Sequence, residues 1–148
     1  MNVFNVMMIM TEVFFYSGSD DKLETACRLC AKALQQDMKV MIYSPDETLI
    51  DQLDGLLWTF SAVSFIPHCR LSDDDKVMAM TPVVLSNQIP SNGHFDVLLN
   101  LAHQTPPQFD KFGRIIEIAD NSEADKLTAR ERYRFYKDAG FEIQHFKL

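Results

Sequence analysis

The sequence predicts an α/β layer fold in which a largely parallel sheet is covered by helices. Short apolar runs alternate with amphipathic segments of helical periodicity along the chain, and this alternation is typical of β-α-β units. The run DVLLNL at residues 96–101 is apolar almost throughout, as expected of a parallel strand that is buried on both faces. At 148 residues with 47% hydrophobic side chains, the chain has the length and composition of one domain.

Six strands and one short extended piece are predicted from apolar or alternating runs that end at turn residues. The first strand is followed by Gly18 and the second by Pro45. In chain order the strands cover residues 13–16, 38–43, 82–85, 96–101, 114–118 and 141–146, and the extended piece covers residues 64–68. Residues 1–10 have three possible assignments: an extra edge strand, a packed arm or a leader.

Two amphipathic helices are predicted in the first half of the chain. The first is capped by Ser19 or Asp20 and carries acidic residues in its first turn, where the helix dipole favours them. The second covers residues 46–57, and Trp58 is expected to lie just beyond its end. Residues 71–80, which begin with polar and acidic side chains, are expected to form a surface loop.

Two further helices are predicted in the second half. The first is a short helix over residues 106–112, which is closed by Gly113. The last helix is capped by Ser122 and ends at Ala139, because Gly140 suits the position after a helix C-terminus.

The last helix carries a concentration of positive charge. Residues 126–137 hold five cations against one anion, although the whole chain has a net charge of −7. That net charge argues against DNA binding by the whole surface, because phosphate contacts require cations. One helix face carries the residues of a basic stripe, which are Lys126, Arg130, Tyr133, Arg134 and Lys137. The stripe is either a solvated helix face or a docking surface for an acidic partner. Arg132 points to the apolar side, so a structural pairing with a buried acid is expected.

Catalytic and cofactor motifs are not evident. The turn after the first strand has one glycine, so it is neither GxGxxG nor GxxxxGK[ST], and Asp20 and Asp21 would repel a phosphate there. Cys27 and Cys30 have C-x-x-C spacing but lie inside a helix on its core side, where buried thiols are expected. Zinc held with Cys69 is the alternative. No enzymatic activity, cofactor or metal is therefore predicted, and a nucleotide- or metal-dependent enzyme is kept as the alternative function.

Cysteine usage and hydropathy predict a cytoplasmic protein. Three cysteines and eight methionines fit a reducing compartment better than an oxidising one. No apolar run approaches the length that a membrane-spanning helix requires, so no membrane association is expected.

Two motifs resemble the chi subunit of bacterial DNA polymerase III holoenzyme. Residues 129–141, ARERYRFYKDAGF, are similar to the family's C-terminal ARERYxxY…AGF motif. Residues 56–58, LLW, and residues 64–68, SFIPH, resemble its LW…SFxPH segment at the same spacing. The resemblance covers about residues 12–148, but residues 1–10 precede the family's usual start and residues 70–95 do not align.

The resemblance implies a Rossmann-like three-layer fold without nucleotide, with helices on both faces of the sheet. It implies an accessory clamp-loader subunit that pairs with the psi subunit and binds the acidic C-terminal tail of single-stranded DNA-binding protein. DNA would be bound only indirectly, and a helicase is a further candidate partner. The tail pocket implied by the family comprises Lys126, Arg130, Tyr133 and Arg134, with Trp58 nearby.

The resemblance also suggests a role for each residue of that pocket. Arg130 is expected to bind the terminal carboxylate of the tail, and Tyr133 and Trp58 to enclose its aromatic ring. Phe65 is expected to face the psi subunit. For Trp58 and Phe65 an ordinary core position remains the alternative.

Overall fold

The computed structural model describes residues 11–60, 66–71, 75–90 and 94–148. Its centre is a seven-stranded sheet, and every strand pairing in the described residues is parallel. The strand order is β3-β4-β2-β5-β6-β1-β7. The strands are β1 Glu12–Ser19, β2 Val40–Tyr43, β3 His68–Arg70, β4 Val83–Ser86, β5 Val97–Asn100, β6 Arg114–Asp120 and β7 Ile143–Lys147. The predicted α/β fold with a parallel sheet is therefore confirmed.

The described helices are α1 Lys22–Gln35, α2 Glu47–Thr59, α3 Asp75–Met80 and α4 Glu123–Asp138, with a 3-10 turn at Phe109–Lys111. Ser122 caps α4 as predicted, because its hydroxyl accepts a hydrogen bond from the Asp125 amide at 3.2 Å. Gly140 follows α4 with φ of +89°, a backbone conformation that side chains with a Cβ rarely adopt.

Three details of the predicted secondary structure are wrong. The cap of α1 is Asp21, because Ser19 still belongs to β1 and bonds the Thr25 hydroxyl at 2.7 Å. Trp58 lies within α2 and not beyond it. The expected loop at residues 71–80 contains α3, whose Met78 packs on the core and gives this short helix a tertiary anchor.

The sheet separates two hydrophobic layers. Side chains alternate along β1, so that Tyr16 packs with α1 and α2 whereas Val13 and Phe15 pack with α4. Along β6, Ile118 belongs to the first layer and Ala119 to the second. Helices therefore cover both faces, as a three-layer fold requires.

The adjacent strands β1 and β6 lead to helices on opposite faces of the sheet. The chain leaves β1 for α1 on one face, and it leaves β6 for α4 on the other. A crevice opens where two such strands end side by side. In open α/β sheets ligands usually bind in this crevice, at the carboxyl ends of the strands.

Candidate functional site

A pocket of about 360 Å³ lies at this crevice, on the α4 side of the sheet. It is bounded by the ends of β1, β6 and β7 and by the first three turns of α4. Its lining residues are Phe15, Ser17, Gly18, Ala119, Asp120, Asn121, Lys126, Ala129, Arg130, Tyr133, His145 and Lys147.

The floor of the pocket is apolar and partly aromatic. Phe15, Ala119 and Ala129 are almost fully buried beneath it. The Tyr133 ring meets Phe15 edge to face, with ring centroids 5.5 Å apart, and His145 meets Phe15 in the same way at 6.5 Å. An aromatic or aliphatic ligand group would find apolar contact here.

Three cationic side chains line the pocket, which are Lys126 and Arg130 from α4 and Lys147 from β7. Lys126 Nζ lies 3.8 Å from an oxygen of the exposed Glu123, and such a solvated pair is weak. Among the described residues Arg130 has no carboxylate partner, so its guanidinium is available to a ligand. The pocket therefore combines an apolar floor with positive charge.

Asp120 places a negative charge at the end of the pocket formed by β6. Burial alone would raise the pKa of Asp120, but hydrogen bonds from the Ser122 hydroxyl and amide, together with the charge of Lys22, lower it below its ordinary value. Asp120 is thus ionised at neutral pH. It would disfavour a ligand carboxylate at this end of the pocket.

The structure brings together three of the predicted site residues, because Lys126, Arg130 and Tyr133 all line this pocket. Arg134 is exposed on α4 and lies outside the lining. Phe65 falls outside the described residues.

Trp58 does not lie at the pocket, contrary to expectation. It belongs to α2, which packs on the opposite face of the sheet from α4. Its side chain is 61% exposed and meets the His68 ring edge to face, with centroids 5.1 Å apart. The position of α2 across the sheet prevents Trp58 from enclosing a ligand beside Tyr133.

Phe15, His145 and Lys147 are pocket residues that sequence reasoning missed. The alternation along β1 could have assigned Phe15 to one face of the sheet. The pairing of β7 with β1, which sets His145 beside Phe15, involves residues 130 positions apart and has no local signal.

Arg132 has the structural role that its position on α4 predicted. Its side chain is 2% exposed, and its Nε donates to Glu117 Oε1 at 2.8 Å. Tyr136 donates to the other carboxylate oxygen at 2.6 Å, and Asn100 donates to both. Burial raises the pKa of Glu117, and the Arg132 charge and these hydrogen bonds oppose that rise. This cluster joins α4 to the sheet beneath the basic stripe.

The cysteines are buried, as predicted for the pair in α1. Burial raises the pKa of Cys27 to about 12, and burial also raises the pKa of Cys30. Within the described ranges, no three histidine, cysteine or acidic side chains cluster as metal ligands would. None of the described helices is both long and apolar enough to cross a bilayer.

The fold and the pocket describe an α/β protein with a cationic, aromatic crevice and no phosphate-binding loop at its first strand-helix turn. Residues 10–144 match the model of the family described as DNA polymerase III chi subunit, HolC. The chain is 36% identical to DNA polymerase III subunit chi of Pseudomonas aeruginosa over 143 residues, which cover 94% of this chain and 98% of that protein. It is 27% identical to the Escherichia coli K12 protein of the same name, with 81% of each chain covered.

The chain therefore belongs to the DNA polymerase III chi subunit family. Members are accessory subunits of DNA replication without a catalytic role, so the prediction of a non-enzymatic protein is confirmed. Among solved structures, the C-terminal domain of the DEAD-box protein Dbp5 is similar, with a TM-score of 0.60 and 9% identity over 94% of this chain and 91% of that one. At this identity the likeness shows a shared fold alone.

Proposed function

We propose that the chain links the clamp loader of the replicative polymerase to single-stranded DNA-binding protein by binding that protein's acidic C-terminal tail. The observation that carries the proposal is the pocket itself. On a chain of net charge −7, three cations surround an apolar floor at the crevice where α/β sheets hold ligands. The same proposal includes a cytoplasmic location, and it includes contact with DNA only through single-stranded DNA-binding protein.

The chemistry of such a tail fits the pocket. A tail of aspartates that ends in an aromatic residue and a free carboxylate requires an apolar slot beside a forked donor. Arg130 supplies two parallel donors for the terminal carboxylate. The floor of Phe15 and Tyr133 receives the ring, and Lys126 and Lys147 attract the aspartates.

Asp120 gives the tail a direction in this arrangement. Its charge repels the aspartates from the β6 end of the pocket, so they lie toward Lys147 on β7, on the other side of β1. Arg134, outside the lining, contributes only long-range attraction, which salt screens within about 10 Å at 0.1 M.

A second surface is proposed for the psi subunit. Trp58 is exposed on the face of the sheet opposite to α4 and the pocket, and large exposed aromatic side chains are typical anchors of protein interfaces. We assign Trp58 to the psi-binding surface together with Phe65, in place of the tail-binding role that the sequence suggested for it. Both partners could then bind at the same time.

The test of tail binding is a calorimetric titration with a peptide of several aspartates, a terminal phenylalanine and a free carboxylate. Arg130→Ala is expected to weaken binding at least about 30-fold, the loss of about 2 kcal/mol typical of an interface hot spot. Arg134→Ala, the matched control four residues along the same helix, is expected to cost less than about fivefold. Equal losses in the two variants would refute the assignment of Arg130.

Two changes to the peptide test the two parts of the pocket separately. Amidation of its C-terminus removes the partner of Arg130, and replacement of phenylalanine by alanine removes the ring. Each change is expected to weaken binding at least tenfold. A peptide that binds equally well without its ring and carboxylate would indicate charge attraction alone.

The psi surface has its own test. Trp58→Ala is expected to weaken binding of purified psi subunit in a pull-down while leaving the tail peptide's affinity unchanged. Loss of tail binding with retained psi binding would reverse the assignment of the two surfaces.

A further inference from the structure

His145 is a titratable side chain at the mouth of the pocket. It lies on the edge strand β7 and is exposed to solvent. Its Nε2 atom lies 2.7 Å from Ser17 Oγ on β1. The ring also meets Phe15 and Tyr133 edge to face, with centroid distances of 6.5 and 6.3 Å. The imidazole is thus held in place against the floor where a ligand would lie.

The contact with Ser17 is compatible with both charge states of His145. A serine hydroxyl donates to the nitrogen of a neutral imidazole, and it accepts a hydrogen bond from the same nitrogen once that nitrogen is protonated. The hydroxyl needs only to rotate. The ring therefore keeps its position when the histidine gains a proton.

Charged groups from α4, from the end of β6 and from β7 itself line the pocket with His145, whereas β1 contributes only uncharged residues. These groups are Lys126 and Arg130 of α4, Lys147 of β7 and Asp120 at the end of β6. A bound acidic ligand brings carboxylates beside the imidazole, and a nearby opposite charge favours the charged form of a titratable group.

We propose that His145 makes ligand binding in this pocket pH-dependent, because binding of an acidic peptide is accompanied by proton uptake on this histidine. The inference rests on the proposed function and adds a regulatory property to it. Histidine side chains change charge between about pH 5 and pH 8. Affinity for the acidic tail therefore rises as pH falls through this range, and by linkage the bound peptide favours the protonated ring.

The size of the effect follows from the exposure of His145. An exposed ion pair contributes up to about 1 kcal/mol, which corresponds to at most about a fivefold change in affinity. We expect the peptide to bind about two- to fivefold more tightly at pH 6 than at pH 8. Its own aspartates do not contribute, because their ordinary pKa of about 3.9 leaves them ionised throughout.

The experiment is isothermal titration calorimetry of the full chain with the aspartate-rich, phenylalanine-terminated peptide at pH 6, 7 and 8 and constant ionic strength. Each pH is measured in two buffers of different ionisation enthalpy, so that the protons taken up on binding are counted directly. Wild type is expected to take up a fraction of one proton near pH 7. His145→Gln is expected to take up none and to bind with the same affinity at all three pH values.

Lys147→Gln is the matched control, because this residue lines the same pocket two positions along β7 and contributes an ammonium group in place of an imidazole. It is expected to bind more weakly at every pH while keeping the wild-type pH dependence and proton uptake. This separates the loss of a cation from the loss of a titrating group. Thermal melts of both variants verify that the fold is retained.

Two outcomes would overturn the inference in distinguishable ways. If His145→Gln keeps the wild-type pH dependence and proton uptake, another group titrates and His145 has no such role, although tail binding stands. If the wild-type chain binds the peptide at none of the three pH values, the proposed function fails and the inference fails with it.

Discussion

Replacement of Arg132 by methionine tests whether the buried cluster beneath the basic stripe stabilises the fold. The substitution keeps an unbranched apolar stem that extends about as far as Nε, and it removes the guanidinium group with its charge. Glu117, which is fully buried, retains its hydrogen bonds from Asn100 and Tyr136 but loses its only ionic partner among the described residues. The variant therefore leaves an uncompensated carboxylate inside the protein.

The expected loss is about 3 kcal/mol. Removing one member of a buried ion pair typically costs about 3–5 kcal/mol. Arg132 Nη2 is buried and makes no hydrogen bond within the described residues, so its burial is unfavourable. Because the substitution removes this unfavourable contribution, we expect a loss at the lower end of that range. For a chain of this size, about 3 kcal/mol corresponds to a decrease of about 6–12 °C in Tm.

Urea denaturation at pH 7 measures the free energy of unfolding of wild type and Arg132→Met. Arg130→Met is the matched control, since it removes the same charge from an exposed position on the same helix and is expected to change stability by less than about 0.5 kcal/mol. The double variant Glu117→Leu with Arg132→Met is expected to be more stable than Arg132→Met alone, because no unpaired charge remains.

The same variant has a predicted pH dependence. Without Arg132 the pKa of Glu117 lies further above its value in the unfolded chain, since burial then acts with less opposition. A carboxyl with a raised pKa in the folded state destabilises the fold as pH rises. The difference in free energy of unfolding between wild type and Arg132→Met should therefore become smaller from pH 7 toward pH 5. A loss below about 1 kcal/mol at pH 7, or a gap that widens at low pH, would refute this account.

Three further predictions concern other parts of the chain. Asp120→Asn keeps the acceptor for Ser122 but removes a charge from the pocket, so calorimetry should show acidic-peptide binding about two- to fivefold tighter, and weaker binding would contradict the proposed direction of the tail. Trp58→Phe should leave the affinity for that peptide, measured by calorimetry, equal to that of wild type, because α2 lies across the sheet from the pocket. A weaker affinity would contradict the placement of Trp58 outside the binding site. Cys27 and Cys30 should react with a thiol reagent at pH 8 only after unfolding in urea, because burial suppresses the thiolate, and rapid labelling of the native protein would contradict that.

The architecture was predictable because its signals are local. Apolar runs with helical segments between them identify the strands of a parallel sheet, and the cap at Ser122 lies where a short polar side chain precedes an amphipathic segment. Helix α3 was missed because it has only six residues. Among its described side chains, Met78 is the one that packs on the core. Short elements that depend on tertiary contact have weak local signals.

The pocket was predictable only in part. The helix face that contains Lys126, Arg130 and Tyr133 follows from the 100° rotation per residue, and the inward position of Arg132 follows from the same geometry. The opposite wall comes from β1 and β7, whose adjacency is a tertiary fact. Trp58 was misplaced because a motif specifies neighbours along the chain and not the face of the sheet on which a helix packs.

The burial of Arg132 among exposed cations has a consequence for how the basic helix can vary among related proteins. The exposed positive charges of α4 can be exchanged one at a time, since each acts largely independently through solvent. Arg132 and Glu117 cannot, because the loss of either leaves the other buried and unpaired. In an alignment of relatives these two positions should therefore change together, as a charged pair or an apolar pair, whereas position 130 should vary only with the ligand that the protein binds.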